Sequence, residues 1–254
     1  MRYPAMFPVM ILLAFTIPVP DTIAQAGFRD SQLAYPRVRQ AYAEKWDTLR
    51  SRLTRNGLER ERLELYLVAY KLEKKFEVWA RNRGDERFRR LCHYDICATS
   101  GSLGPKRVEG DRQIPEGFYH ISVFNPASTF HLSLCINYPN DSDRVLSDRE
   151  HPGGNICIHG SCVTIGCVPL TDEVIKELYL LCVEARNNGQ AKIPVTIYPA
   201  RLNPLNYGAL VLLHQGDTAS TNLWSDLKRA NDLFAETGQM PRVTYLENGR
   251  HLIE

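Results

Sequence analysis

Residues 155–170, NICIHGSCVTIGCVPL, carry three cysteines and one histidine within sixteen positions, a density that constrains this chain more than any other feature. The four side chains belong to Cys157, His159, Cys162 and Cys167. They could bind a metal ion, form disulfides, or supply a nucleophile together with its base. Because isoleucines alternate with Cys157 and His159, a short strand that ends at His159 is predicted. All three chemistries use these residue types, so spacing and cellular compartment must separate them.

The N-terminal residues predict an exported protein. Arg2 precedes an apolar run over residues 6–17, and residues 24–26, AQA, form the small-x-small pattern of a signal-peptidase site. The apolar run is shorter than the roughly 20 residues that span a bilayer. We therefore expect residues 1–26 to be a signal peptide and the mature protein to reside in the periplasm or cell envelope, without stable membrane insertion. An uncleaved membrane anchor is the alternative.

Charge and cysteine content narrow the function classes further. The net charge is +2, with 31 Lys+Arg against 29 Asp+Glu, which leaves no basic surface of the kind that binds nucleic acid. All seven cysteines follow residue 26, and an odd number leaves at least one thiol unpaired. Burial as a small apolar side chain would explain a free Cys135 or Cys182. Cys167 lies in a turn-like segment and needs another explanation.

Hydrophobic periodicity predicts an α+β, β-rich fold with a strongly curved mixed sheet and flanking helices. Residues 27–62 are predicted to form an N-terminal helical extension, residues 63–200 the main domain, and residues 201–254 a C-terminal helix and hairpin packed on it. Helices are predicted over residues 30–55, 171–190 and 222–238. Strands are predicted as a hairpin over residues 64–80, single strands over 118–124, 130–138, 156–160 and 193–198, and a hairpin over 242–253.

Zinc and disulfides are two of the three candidate chemistries for the cysteine-rich segment. Structural zinc sites usually combine two short ligand pairs with a longer spacer, whereas here four ligands fall within eleven residues, which makes it difficult to surround a tetrahedral ion. Disulfides between Cys92 and Cys97 and between Cys157 and Cys162 are compatible with export. The spacing does not fix the pairing, and disulfides leave Cys167 unexplained.

A thiol nucleophile is the third candidate. It needs a thiolate, an imidazole that takes its proton, and N–H donors for the oxyanion, which Cys167, His159 and the N–H groups of Gly166 and Cys167 could supply. The N-terminus of the helix that follows is expected to lower the pKa of Cys167. Thr164 would either line the oxyanion site or shape the turn.

The block IHGSCVTIGC resembles the active-site signature of the L,D-transpeptidase (YkuD-like) catalytic domain family, in which a His-Gly segment precedes an S/T-x-G-C element. Residues 115–119, PEGFY, are similar to that family's P-x-G-x-aromatic step, and the resemblance covers roughly residues 65–198. The short interval between His159 and Cys167, Ile165 in place of a second histidine, and the VPL sequence after Cys167 differ from the commoner pattern. They resemble a YafK-type subgroup of murein L,D-transpeptidase-like proteins.

This resemblance implies the fold of the L,D-transpeptidase catalytic domain and acyl transfer on peptidoglycan stem peptides through a thioester on Cys167. His159 would be the general base, the main-chain carbonyl of Gly160 would orient its imidazole, and Gly166 would form the oxyanion turn. Thr164, Lys106 and His131 are expected to contact the substrate. The resemblance implies neither a cofactor nor a metal.

Two alternatives to transpeptidation stay open. A peptidoglycan amidase or hydrolase of the same fold would release a diaminopimelate-linked, wall-bound protein or trim stem peptides. A zinc-binding module without enzymatic activity is the third class, although such a module would have no use for an intact pair of Cys167 and His159.

Overall fold

A computed structural model describes residues 27–254 as a curled mixed sheet with helices on both faces. The predicted signal peptide, residues 1–26, lies outside the described residues. The helices are α1 (Phe28–Leu33), α2 (Pro36–Arg55), α3 (Asp141–Leu146), α4 (Asp172–Asn187), α5 (Pro204–Leu213) and α6 (Thr218–Thr237), with a 3₁₀ turn at Arg60–Arg62. The strands are β1 (Leu63–Tyr70), β2 (Lys75–Asn82), β3 (Arg89–Asp95), β4 (Gly117–Asn125), β5 (Ser133–Ile136), β6 (Cys157–His159), β7 (Val168–Pro169), β8 (Pro194–Tyr198), β9 (Val243–Tyr245) and β10 (His251–Ile253).

Eight strands form the sheet in the order β3-β2-β1-β8-β4-β5-β6-β7. The pairs β1–β8 and β6–β7 are parallel and the others are antiparallel, so the sheet is mixed. Strands β9 and β10 form a separate hairpin. The predicted α+β fold with a curved mixed sheet and flanking helices is confirmed. Within residues 27–254, no helix is both long enough and apolar enough to cross a membrane.

Strand β1 lies inside the sheet, between β2 and β8, and is buried on both faces. Alternate residues of a strand point to opposite faces, so an unbroken apolar run suits a strand covered on both sides. One face packs against α2 and α4, and the other packs against α5, α6 and β10. The first face carries Leu65, Leu67 and Ala69, and the second carries Tyr66, Val68 and Tyr70.

The single helix predicted over residues 30–55 is wrong, because the chain forms two helices there. Pro36 is the first residue of α2, and Tyr35 before it is extended, at φ −92° and ψ 130°. A residue that precedes proline is pushed out of the helical region, which ends α1. The predicted apolar face is otherwise present, since Val38 and Leu49 are fully buried.

A buried carboxylate joins the N-terminal helices to α4. Glu184, at 0% exposure, accepts hydrogen bonds from the Tyr42 hydroxyl at 2.6 Å, from Arg60 Nη2 at 2.6 Å and from Arg29 Nη1 at 3.3 Å. A buried charge is tolerated when it is paired and hydrogen-bonded in this way. These contacts fix the position of α4, whose first turn lies beside the cysteine-rich segment.

Candidate active site

The pairing of β6 with β7 brings Cys167 back to the strand that carries His159. Ile158 lies opposite Val168 and His159 opposite Pro169 in this parallel pair, so residues 160–167 form the connecting loop. The backbone N–H of Cys157 donates to Cys167 Sγ at 3.4 Å, and Sγ lies 3.7 Å from the carbonyl oxygen of Asn155. The predicted strand ending at His159 is confirmed.

The tautomer of His159 follows from its hydrogen bond to the next residue. His159 is 2% exposed, and its Nδ1 lies 2.5 Å from the carbonyl oxygen of Gly160. A carbonyl oxygen only accepts, so Nδ1 carries the proton and Nε2 is the unprotonated nitrogen of the neutral ring. Burial lowers the pKa of His159, and the hydrogen bond with Gly160 offsets part of this effect. The imidazole is therefore neutral at pH 7 and available as a base through Nε2.

Cys167 is a neutral thiol at pH 7 in this environment. Burial raises its pKa, and both the N–H of Cys157 and the positive charge of Lys106 act in the opposite direction without cancelling it. The prediction that the following helix lowers this pKa is wrong. Strand β7 separates Cys167 from α4, which begins only at Asp172, and burial dominates. The thiol therefore needs a base to become a nucleophile.

His159 and Cys167 line the same apolar cavity. Its volume is about 360 Å³, and the ring of Phe130 lies against the His159 imidazole, tilted by 30°, with a centroid distance of 4.6 Å. Among the described residues, no hydrogen bond joins the two side chains directly. The remaining lining residues are Val163, Thr164 and Ile165. A neutral thiol and a neutral imidazole with Nε2 free form a combination suited to general-base activation of the thiol.

Thr164 shapes the turn that precedes Cys167. Its Oγ1 accepts from the N–H of Gly166 at 3.1 Å and from the N–H of Cys167 at 2.8 Å, and it donates to the carbonyl of Cys167 at 2.8 Å. The two N–H groups expected to face an oxyanion are thus bound to Thr164. Their oxyanion role stays a prediction, and it requires the Thr164 hydroxyl to turn away.

Two glycines are required by their surroundings. Gly166 has φ +137°, a region that residues with a side chain rarely adopt, and a Cβ would lie 3.2 Å from the Gln113 carbonyl oxygen. At Gly160, a Cβ would lie 2.5 Å from Asp172 Oδ1 and 2.9 Å from the Phe130 carbonyl oxygen. Gly160 therefore allows α4 and the loop before β5 to approach closely at the residue whose carbonyl binds His159.

A second, more polar cavity of about 590 Å³ also borders Cys167, and Cys167 and Ile165 line both cavities. Lys106 lines the polar cavity, so the structure brings this predicted residue to the site. It is 5% exposed, and its Nζ donates to Asp111 Oδ1 at 2.6 Å and to the Val108 carbonyl at 2.9 Å. The charge of Lys106 is therefore already paired.

His131 lines neither of the two cavities beside Cys167. Its carbonyl oxygen accepts from Arg37 Nη1 at 2.7 Å, and its buried Nε2 has no hydrogen-bond partner among the described residues. Burial lowers the pKa of His131. A direct contact between His131 and the substrate stays a prediction that this placement does not favour.

The cysteines pair differently from the prediction. The disulfides are Cys97–Cys162 and Cys135–Cys157, not Cys92–Cys97 and Cys157–Cys162, and Cys135 is bonded, not free. The register of β5 and β6 places Cys135 opposite Cys157, which the spacing could not reveal. The free thiols of the described chain are Cys92, Cys167 and Cys182.

The disulfides also remove two of the four proposed zinc ligands, since Cys157 and Cys162 are both oxidised. Across residues 27–254, no group of three or more His, Cys, Asp or Glu side chains is arranged to hold a metal ion. The zinc interpretation of the cysteine-rich segment is therefore not supported by its geometry.

Comparison with known proteins assigns the family. Residues 65–197 match the family model of the YkuD L,D-transpeptidase catalytic domain. A relative from Escherichia coli K12, named "Putative L,D-transpeptidase YafK", is 31% identical over 191 residues, which cover 74% of this chain and 73% of the relative. The chain belongs to the L,D-transpeptidase (YkuD) family. The match begins in β1 and ends in β8, so the N-terminal helices, α5, α6 and the C-terminal hairpin lie outside the L,D-transpeptidase match.

Solved structures with a similar fold include the helical cell shape determining protein Pgp2 from Campylobacter jejuni, at 18% identity and a TM-score of 0.43 over 73% of each chain. Bd1075 from Bdellovibrio bacteriovorus is 23% identical, with a TM-score of 0.38 over 54% of this chain and 48% of that one.

Five residues near the L,D-transpeptidase signature were not found from the sequence. Phe130 covers His159, Asn155 presents its carbonyl to Cys167, and Asp172 Oδ1 accepts from the N–H of Ser161 at 2.8 Å. Glu109 and Arg112 line the polar cavity. These residues come from separate loops and helices, and no local pattern in the sequence marks them.

Proposed function

We propose that this protein is an exported, cysteine-dependent L,D-transpeptidase that acts on peptidoglycan stem peptides through a thioester on Cys167. The observation that carries the proposal is that Cys167 and a neutral His159, with its proton fixed on Nδ1, share one cavity in a chain of this family. Family membership supplies the substrate class. Two disulfides fit an oxidising compartment, which supports location in the cell envelope.

The reaction begins with proton transfer from the Cys167 thiol to His159 Nε2. The thiolate attacks the carbonyl carbon at the L-centre of the third residue, and a tetrahedral oxyanion forms. When the oxyanion collapses, the bond to the terminal D-amino acid breaks, and the imidazolium returns its proton to the leaving amine. An amine of a second stem peptide then attacks the thioester, gives its proton to His159 and releases Cys167.

Incubation of the purified mature protein with tetrapeptide muropeptides, followed by mass spectrometry, tests this function. Cross-linked dimers support transpeptidation. Tripeptides alone mean that water is the acceptor and the protein is a hydrolase. If the only substrate that reacts is peptidoglycan with a covalently bound protein, and the reaction releases that bound protein, the enzyme is an amidase. Absence of any reaction on these substrates contradicts the proposal.

Two variants and one control connect the activity to the site. Cys167→Ala should abolish both the thioester adduct and turnover, whereas Cys92→Ala, which removes another free thiol, should leave both unchanged. His159→Ala should lower the rate by about 10²–10⁴-fold, the contribution typical of a positioned base. Turnover by Cys167→Ala at the wild-type rate would rule out this mechanism.

Export is tested separately by expression of the full chain in a bacterial host. The protein recovered from the periplasmic fraction should begin at Gly27, as determined by N-terminal mass spectrometry. Recovery of the uncut chain in the membrane fraction would instead support the membrane anchor.

A further inference from the structure

Residues 126–132 join β4 to β5 and carry Phe130 over the imidazole of the proposed base, His159. Two contacts hold that imidazole. The Gly160 carbonyl oxygen lies 2.5 Å from Nδ1, and the Phe130 ring lies against one face at a centroid distance of 4.6 Å. A single hydrogen bond at one ring nitrogen leaves the plane of the ring free to tilt, so the direction of the unprotonated Nε2 depends on Phe130 as well.

The backbone of this loop needs support at the residue after Phe130. His131 has φ +71°, in the left-handed region that residues other than glycine adopt uncommonly. Such a conformation persists where neighbouring contacts hold it. Arg37 supplies two of them, since its Nη1 donates to the Ser128 carbonyl at 2.5 Å and to the His131 carbonyl at 2.7 Å. One guanidinium group therefore binds the chain on both sides of Phe130.

Arg37 belongs to α2, outside the residues 65–197 that match the family model. Both of its side-chain hydrogen bonds go to the loop 126–132, and its charge strengthens them. In the described chain, the other side chains that hydrogen-bond to this loop are those of Ser128 and Asn125, which lie inside it or next to it. The side-chain attachment of the loop to a distant part of the protein therefore depends on Arg37.

We propose that Arg37 is a positioning residue of the active site, which holds residues 128–131 so that Phe130 stays against the His159 imidazole. The inference rests on the proposed function and gives the N-terminal helices a part in it. When the two carbonyl contacts are lost, Phe130 moves away from His159 and water reaches the imidazole. Nε2 then loses its fixed direction in the cavity that His159 shares with Cys167.

Steady-state kinetics of Arg37→Met on tetrapeptide muropeptides test the consequence for the reaction. Methionine keeps an unbranched side chain and donates no hydrogen bond. The value of kcat should fall by about tenfold, because a displaced base is costly to the rate. KM should stay within about twofold of the wild type, since Arg37 lines neither cavity beside Cys167. A wild-type kcat in Arg37→Met would overturn the proposal.

The pKa of His159, followed by NMR in the absence of substrate, tests the position of Phe130 directly. Burial lowers this pKa in the wild type, so a loosened Phe130 should raise it in Arg37→Met toward the ordinary value of histidine. The His159 resonance is identified by its absence from His159→Ala. A general loss of stability does not change this pKa in the folded protein, and an unchanged pKa would show that Arg37 does not position Phe130.

Arg39 provides the matched control. It lies on the same helix, is exposed like Arg37, and its Nη1 also donates to two carbonyls, those of Leu33 and Ala34, both at 2.8 Å. These carbonyls lie at the end of α1 and not in the loop over His159. Arg39→Met therefore removes the same charge and the same kind of contact, and it should leave kcat and the His159 pKa unchanged. Equal effects of the two variants would contradict the proposal.

Phe130→Leu completes a double-mutant cycle that separates loss of the ring contact from loss of the charge. On its own it should lower kcat by about tenfold and raise the His159 pKa, as Arg37→Met does. The double variant should change both quantities little more than either single variant, because both substitutions remove the same contact. Rate losses that multiply to about a hundredfold would mean that Arg37 acts independently of Phe130, against the proposal.

The failure of this inference is distinguishable from the failure of the proposed function. If the wild type reacts with stem peptides but Arg37→Met keeps the wild-type kcat and His159 pKa, only the role of Arg37 is overturned. If the wild type reacts with no stem peptide, the proposed function is overturned. The NMR titration then still decides whether Arg37 holds Phe130 against His159, since a raised pKa supports that contact and an unchanged pKa refutes it.

Discussion

The hydroxyl oxygen of Thr164 lies 2.8 Å from the backbone nitrogen of Cys167 and 2.8 Å from the carbonyl oxygen of the same residue. One side chain thus holds the backbone of the proposed nucleophile from both sides, and it also accepts from the N–H of Gly166. The position of the thiol relative to His159 therefore depends on a group that takes no part in bond making or bond breaking.

Replacement of this hydroxyl should cost both stability and rate. Thr164→Val keeps the shape of the side chain but leaves two N–H groups without their acceptor, so the free energy of unfolding should fall by about 1–2 kcal/mol. The value of kcat/KM should fall by about tenfold or more, because small displacements of a reacting group are costly. Thr164→Ser keeps the hydroxyl and is the matched control. Wild-type melting temperature and rate in Thr164→Val would contradict this role.

The rate of alkylation reports whether the Cys167 thiol is ionised in the resting protein. Since burial raises the pKa of Cys167, its reaction with iodoacetamide should be slow at pH 7 and should increase up to and beyond pH 9. Peptide mass spectrometry distinguishes Cys167 from Cys92. A resting thiolate–imidazolium pair would instead give fast alkylation already at pH 6. That result would contradict a neutral pair activated by general-base catalysis.

Much of the fold could be predicted because its signals are local. The hairpin of β1 and β2 follows from two apolar runs around a polar turn, and α4 follows from its apolar face and from Thr171, whose hydroxyl accepts from the Val174 N–H at 3.3 Å. Strand β3 was not predicted, because exposed charged residues interrupt the alternation of apolar and polar residues in its sequence, RRLCHYD. Helix α3 was missed because it is only six residues long.

The residues of the candidate site were likewise predictable only where the signal is local in the sequence. Cys167 and His159 were predicted because they lie close in the sequence: His159 ends one strand, and Cys167 ends the short loop that leads from it to the paired strand. The disulfide partners, by contrast, depend on the β5–β6 register and on the position of the loop after β3, which no local pattern encodes. Arg112 and Phe130 reach the site from chain segments that only the folded sheet brings together.

The disulfide between Cys97 and Cys162 anchors the loop that carries Thr164. It joins cysteines that are 65 residues apart in the sequence. Because a disulfide across a loop of this length restricts the unfolded chain, its removal should lower the free energy of unfolding by about 2–4 kcal/mol. Cys97→Ser/Cys162→Ser should also lower kcat/KM by about tenfold, as the loop loses its attachment.

The second disulfide provides the control, because strand hydrogen bonds already join the segments around Cys135 and Cys157. Cys135→Ser/Cys157→Ser should therefore reduce stability while it retains most of the activity. Equal rate losses in the two double variants would mean that both act through general destabilisation.

The backbone conformation of Arg112 should lower the stability of the fold. Its left-handed backbone, at φ +59°, costs about 1–2 kcal/mol for a residue with a side chain, and glycine avoids this cost but loses more backbone entropy on folding. Arg112→Gly should therefore raise the free energy of unfolding by about 0.5–1 kcal/mol in urea denaturation. Arg229→Gly, inside α6, should instead lower the free energy of unfolding by about 1 kcal/mol. Destabilisation by Arg112→Gly would show that its backbone is unstrained.

Asp226 should make the stability of the C-terminal segment depend on pH. It accepts from Arg250 Nε at 2.9 Å, from His251 Nδ1 at 3.2 Å and from the His251 N–H at 3.0 Å, contacts that join α6 to β10. Burial alone would raise the pKa of Asp226, but the hydrogen bonds from Arg250 and His251 prevail and lower it to about 2. This value lies below the roughly 3.9 of an unfolded chain.

Because the folded pKa is the lower one, the stabilisation is fully present above pH 4 and is lost as the pH falls from 4 to 2. Asp226→Asn should thus lower the free energy of unfolding by about 2 kcal/mol at pH 7, and the difference from the wild type should shrink toward pH 2 in urea titrations. Asp232→Asn, whose carboxylate is exposed beside Lys228, should change stability by less than about 0.5 kcal/mol at any pH. A wild-type-to-variant difference that stays constant from pH 7 to pH 2 would mean that Asp226 acts through packing and not through its charge.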